Sequence, residues 1–290
     1  MLRSITLVMF AALQWGLAGG LASVLMQNGW APDVLSFWRV LIGLLCMLAW
    51  VLVIWMRRQF LALTWSVFAW GLLAGLGVAG NFIFYFISIR EGSVAVAVTL
   101  MYSAPIVVYL ASFALGHERP TLLKILFIAL VMIGVVLLTG LHQAGLGVVT
   151  GVGVLTGLLS GISYAIFILG FKMASRNGIA PTVLLIAFTS ATASLLPFID
   201  WQSVLRVPFS NDAFGFLIFG ILGAGLSFYC YFRGLFLTPA TTASIVAMIE
   251  PVTAALFGFF VLEEVLQTSG FVGMTIILLA VTALSVLRER

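Results

Sequence analysis

The apolar positions of this chain come in runs about 20 residues long, each closed by a short polar or charged connection. A bilayer core about 30 Å thick requires roughly 20 apolar residues per helical span. Windows of that length predict ten spans, near 5–26, 33–56, 66–89, 93–115, 121–140, 148–171, 180–199, 213–235, 240–262 and 268–287. The first opens with Arg3 like a signal peptide but has no clear small-residue cleavage site and is followed by nine more, so it is read as retained. The fold class expected is an all-α integral membrane protein. With only short connections, function has to reside within or between the helices.

Composition agrees. Of 290 residues, 63% are hydrophobic and 8% charged, against roughly 45–50% and 25% in soluble domains. Sorting the cations by alternating span ends places Arg3, Arg57, Arg58, Arg119, Lys124, Lys172, Arg176, Arg233, Arg288 and Arg290 on one side and Arg90 and Arg206 on the other, with Arg39 inside the second span. Lys and Arg favour cytoplasmic connections, so both termini are expected in the cytoplasm. The pI near 9.4 then reflects topology and contact with the anionic lipid bilayer, and no nucleic-acid partner is called for. Trp30, Trp50, Trp55, Trp65 and Trp201 lie near span ends as interfacial anchors. Cys46 and Cys230 fall inside apolar spans as packing residues, and His117 and His142 have no partner at ligand spacing, so no metal and no cofactor are expected.

The chain also repeats itself. "GWAPDVL" (Gly29 to Leu35) recurs as "GIAPTVL" (Gly178 to Leu184) at an offset of 149. An offset of 146 pairs Pro105 with Pro251, Tyr85 with Tyr231 and Glu118 with Glu264. Two five-span units follow, residues 1–140 and 147–290. Because five is odd, the second unit enters the membrane from the opposite side, which makes the repeats inverted, an arrangement typical of secondary transporters with the substrate at the repeat interface.

"FWRV" around Arg39, "YSAPIVVYLASFALGHERPT" (Tyr102 to Thr121) and "IEPVTAALFGFFVLEE" (Ile249 to Glu264) resemble the drug/metabolite transporter superfamily, EamA type. In that family a Pro in the fourth helix of each half is followed thirteen residues later by a Glu, as in both halves here. The central aromatic residues are similar to those of the YddG-like aromatic amino acid exporters. The resemblance implies export of amino acids or related small metabolites across a bacterial inner membrane by alternating access; the alternatives are a carrier of another metabolite or drug, or a channel.

Several residues could serve such a cavity. Pro105 and Pro251 remove a backbone donor and crowd the carbonyls of Met101 and Ala247, so helix kinks are expected there, with the fourth and ninth spans lining the path. Glu250 lies roughly 15 Å from either end of its span by rise per residue, where a charge is expensive unless paired, hydrated or protonated. It is either a proton or substrate-ammonium site, or the fixed partner of Arg39 or a backbone cap beside Pro251. The first half carries Ala104 in its place. Trp15, Tyr85, Tyr102, Tyr164 and Tyr231 can stack on a ring and present a polar handle, and Asn81 stands one turn before Tyr85. Together with Arg39 and Glu250 these form the candidate substrate-binding set. Gly71 with Gly75 and Gly153 with Gly157 have spacings that let helices approach closely.

No nucleophile stands beside a base and no paired carboxylates occur, so an enzyme is not expected. There is no Walker A loop and hence no ATP partner. The rings of polar groups typical of a channel are missing.

Overall fold

A computed structural model describes residues 2–56, 63–143 and 150–286. Arg57, Arg58, Arg288, Arg290, the Trp55 side chain and position 147 lie outside the described residues. Among the described residues every regular element is helical. The first three spans are single helices, α1 (Leu2–Gln27), α2 (Pro32–Met56) and α3 (Trp65–Arg90). The fourth is two half-helices, α4 (Val94–Met101) and α5 (Ala104–Ala114), and the fifth is α6 (Leu122–Leu138). The second half has α7 (Gly151–Ala174), α8 (Ala180–Leu195), a short connecting α9 (Trp201–Arg206), α10 (Ala213–Gly220), α11 (Leu226–Leu235), α12 (Ala240–Val246), α13 (Ile249–Val261) and α14 (Thr268–Val286). Among the described residues nine helical spans are long and apolar enough to cross a bilayer, and the seventeen-residue α6 is a tenth, shorter apolar helix.

Local chemistry sets the boundaries. Hydroxyls of Thr64, Ser93, Thr121 and Thr150 accept the amides of Val67, Val96, Lys124 and Gly153 at the starts of α3, α4, α6 and α7, satisfying donors that a helix start leaves open. Gly29, at φ +93°, turns the chain out of α1, a conformation in which a Cβ would be strained.

The proline-bearing spans are broken rather than smoothly kinked. Tyr102 and Ser103 separate α4 from α5, and Ala247 and Met248 separate α12 from α13. Pro105 and Pro251 then fall in the first turns of α5 and α13, where a missing N–H costs little. The Ala247 carbonyl is not left bare, because it accepts the Glu250 amide at 2.9 Å. The eighth span departs from the single helix expected over 213–235: a π-helical segment, Ile221–Gly225, joins α10 to α11.

The helices pack in a pattern that survives exchange of the two halves. α3 packs on α7 and α8, while the eighth span, its counterpart, packs on α1 and α2; α4 and α5 pack on α7 as α12 and α13 pack on α1. α6 lies against α14. In lipid, association depends on close packing and interhelical hydrogen bonds more than on hydrophobicity. The glycines provide the first: a Cβ at Gly77 would stand 2.7 Å from the Phe167 nitrogen and 2.8 Å from the Ser163 carbonyl oxygen, and one at Gly75 would collide with the Ala187 carbonyl. Gly153 lies as tightly against Glu91, and Gly157 against Leu100 and Ser88. Asn81 provides the second by donating to the Ser160 carbonyl and hydroxyl oxygens at 3.1 and 3.0 Å, while the Ser160 hydroxyl donates back to the Asn81 carbonyl.

The Gly77 contact is backbone against backbone and cannot be relieved by a rotamer change. Gly77→Val should destabilise the protein by about 1–3 kcal/mol or more, read as earlier thermal unfolding in detergent. Gly151→Ala, where an added Cβ meets nothing within 4 Å, should change stability by less than about 0.5 kcal/mol. Equal effects would show that the α3–α7 contact does not have this geometry.

Candidate functional site

The breaks in the fourth, eighth and ninth spans gather around one cavity of about 560 Å³. It reaches from mid-span, at Trp15, Tyr164 and Glu250, past Arg39 to the face bearing Pro32, Val94 and Glu264. The volume lies within the roughly 300–1,000 Å³ of small-molecule sites. Its deep end rests on packed rings: Tyr164 stacks on Phe167 at 4.6 Å, and Trp15 packs on Phe228 and Tyr231 at 5.0 and 4.9 Å.

The two charges deep in this cavity, Glu250 and Arg39, each have a neutral partner. Glu250 lies in the first turn of α13, where helix dipoles favour an anion, and its Oε2 accepts the Tyr164 hydroxyl at 3.1 Å. The Tyr102 hydroxyl is directed at the same carboxylate. Arg39 donates through Nε to the Gly223 carbonyl at 2.9 Å, an acceptor in the π-helical segment. Its guanidinium lies 5.1 Å from the Phe82 ring and 5.9 Å from the Phe219 ring, placements that offer cation–π attraction. No salt bridge joins Arg39 to Glu250; among the described residues, salt bridges link Arg90 to Glu91 and Lys124 to Glu118. A cation and an anion therefore face one cavity without neutralising each other directly.

Of the residues singled out in the sequence, Trp15, Arg39, Asn81, Tyr85, Tyr102, Tyr164, Glu250 and Pro251 line this cavity. Tyr231 does not: it is fully buried behind Trp15, and its hydroxyl has no hydrogen-bond partner. Pro105 is also buried away from the wall. The sequence reading passed over Phe82, Phe167, Phe219 and Phe228, which complete the aromatic wall. With 24 phenylalanines in the chain, residue type could not single them out. Gly223 was missed as well, although the cluster Gly220, Gly223 and Gly225 marked the eighth span as irregular. A Cβ at Gly223 would stand 2.7 Å from the Arg39 Nε, so only glycine leaves the guanidinium its place.

On the opposite face the helices are closed by polar clamps. Lys172 donates through Nζ to the carbonyls of Leu235, Phe236 and Thr238 at 2.7, 3.2 and 2.8 Å. Glu118 accepts the Thr241 amide at 3.1 Å through Oε1 and pairs with Lys124 at 3.0 Å through Oε2. Glu118 and Lys172 also line a separate cavity of about 230 Å³ on this face, which shares no lining residue with the larger one.

Comparisons agree with this architecture. The profile of the EamA-like transporter family matches twice, over residues 2–140 and 151–286. The "Uncharacterized transporter YwfM" of Bacillus subtilis (strain 168) is 26% identical over 282 residues, 96% of this chain and 92% of the relative. An "Uncharacterized transporter" of Archaeoglobus fulgidus is 29% identical over 198 residues, 68% of this chain and 69% of the relative. A solved crystal structure superimposes with a TM-score of 0.76 at 20% identity, covering 98% of this chain and 96% of the other, a likeness of fold. A polytopic helical chain, matched by one family profile in both halves and aligned nearly end to end with a bacterial transporter, is itself a membrane transporter and belongs to the EamA-like transporter family.

Proposed function

We propose that this protein exports amino acids, aromatic ones in particular, from the cytoplasm across a bacterial inner membrane by alternating access between its two inverted halves, residues 1–140 and 147–290, with both termini cytoplasmic. One observation carries the substrate class: Arg39 and Glu250 face the same cavity, unpaired with each other, between aromatic walls. A zwitterion answers both charges, its carboxylate toward Arg39 and its ammonium toward Glu250, while an aromatic side chain finds Trp15 and the phenylalanines. Glu250 thus acts as the ammonium site, and Tyr102 and Tyr164 orient its carboxylate. Intramembrane charges usually mark substrate or ion pathways. A channel is the weaker alternative, because the cavity ends on packed rings.

Counterflow tests the carrier itself. Proteoliposomes preloaded with phenylalanine should take up labelled phenylalanine faster than empty ones, with saturation, and leucine-loaded vesicles serve as the comparison. If internal amino acid leaves uptake by folded protein unchanged, exchange of amino acids is refuted; non-saturable uptake would favour the channel.

The charge assignment makes a separate prediction from analogues lacking one charge. Glu250→Gln should weaken phenylalanine and phenethylamine by about tenfold to a hundredfold, the loss of one charged hydrogen bond of about 1.5–3 kcal/mol, and leave inhibition by 3-phenylpropionate nearly unchanged. Arg39→Gln should weaken phenylalanine and 3-phenylpropionate by a similar factor and leave phenethylamine nearly unchanged. Equal losses for all three ligands would make the two residues structural.

Gly223→Ala should mimic Arg39→Gln in ligand pattern, because the new methyl takes the space of the guanidinium. Competition by 3-phenylpropionate is the readout. Unchanged competition in a folded variant would separate the π-helical segment from the site.

A further inference from the structure

The half of the molecule opposite the open cavity, which holds a separate cavity of about 230 Å³ with Ser112, Glu118 and Lys172 in its wall, buries polar groups that protein interiors seldom leave alone. Ser112, Ser227 and Tyr231 are at most 1% exposed, and none of their hydroxyls has a hydrogen-bond partner. Buried polar atoms are nearly always satisfied, and each exception calls for an explanation.

The internal repeat supplies one. Subtracting or adding the offset of 146 pairs Ser227 with Asn81, Tyr231 with Tyr85 and Ser112 with Gly258. All three counterparts line the open cavity. Phe228 likewise pairs with cavity-lining Phe82, and at the other offset Tyr164 pairs with Trp15. The orphaned hydroxyls therefore occupy, in the closed half, the repeat positions whose counterparts line the open cavity.

The closing device has the same symmetry. Glu118, its side chain 10% exposed, holds the second amide of α12, that of Thr241, and the Lys124 ammonium. Its counterpart Glu264 is exposed on the rim of the open cavity, with no side-chain hydrogen bond or ion pair among the described residues. The residue equivalent to Thr241 is Ala95, the second residue of α4, and neighbouring Val94 lines the same cavity as Glu264.

From this we infer that Ser112, Ser227 and Tyr231 line a second, now closed, access path, locked by Glu118 on the start of α12, and that Glu264 locks the open path in turn by taking the start of α4. The inference rests on the transport reading above. The two locks are unequal, because the counterpart of Lys124 is Gly270. Glu264 gains no cation at that position, so the state with the Glu118 lock closed is the favoured one, as in this structure.

Thiol accessibility tests the locks without any substrate. With Cys46 and Cys230 replaced by Ala, Ser227→Cys reports the closed path and Ser23→Cys the open cavity; both are read as rates of reaction with a charged methanethiosulfonate. Lipid nanodiscs expose both faces to the reagent. Ser227→Cys should react slowly, and adding Glu118→Ala should speed it by about tenfold, the size expected from losing a charged hydrogen bond. Lys124→Met should act in the same direction, and Glu264→Ala should slow the reaction or leave it slow. An unchanged Ser227→Cys rate in Glu118→Ala protein whose Ser23→Cys still reacts overturns the inference. If Glu118→Ala does not fold, Lys124→Met decides on the same criterion. Failed phenylalanine counterflow alongside accelerated labelling would count against the substrate assignment alone.

Discussion

In hydrocarbon a backbone N–H or C=O without a partner costs several kcal/mol, so a spanning helix can open only where protein or a watery cavity receives the freed groups. The structure follows this constraint at every irregularity in its spans. Helix breaks at Tyr102–Ser103 and Ala247–Met248 and the π-helical segment at Ile221–Gly225 all face the central cavity or the residues that line it. Each opening is put to use. The break in the ninth span creates the helix start on which Glu250 lies, and the π-helical segment presents the Gly223 carbonyl to Arg39. The charged site exists because the helices are interrupted there.

Much of this architecture can be read in the sequence because depth in a membrane is written there as distance along an apolar run. The ten spans, the paired "APxVL" starts, and the intramembrane position of Arg39 and mid-span depth of Glu250 all follow from counting. Rotation about the helix axis is a different matter. A helix apolar on every side carries no stripe to indicate its inward face, so the facing of Tyr231 could not be told from that of Tyr85. Similar depth likewise left an Arg39–Glu250 ion pair among the alternatives, whereas Arg39 bonds Gly223, Glu250 bonds Tyr164 and no salt bridge joins the two. The π-helical segment escaped for a related reason, since one added residue per turn leaves the apolar run unbroken.

The scaffold is two-fold but its chemistry is not. Glu250 corresponds to Ala104, Arg39 to Phe188 and Lys124 to Gly270, while Pro105 and Pro251, the breaks of the fourth and ninth spans, and Glu118 and Glu264 come in pairs. Paired elements let two conformations be built from the same contacts with the halves exchanged. Unpaired charges mark a single candidate site rather than two, near the breaks of the fourth and ninth spans, where on the proposed mechanism both conformations would share it.

This division bears on energetics. A closed half that buries unpaired hydroxyls at Ser112, Ser227 and Tyr231 is destabilised by desolvation, of the order of 1–3 kcal/mol for each such group. The clamps at Lys172 and Glu118 oppose this on the same face. A fully satisfied, well-packed seal would hold one state too deeply to cycle, and an unclamped one would admit water at both ends. Setting unsatisfied polar groups against a small number of charged latches keeps the two arrangements close in free energy. On the proposed alternating-access reading, substrate binding worth a few kcal/mol through differential contacts is then enough to shift the population between them.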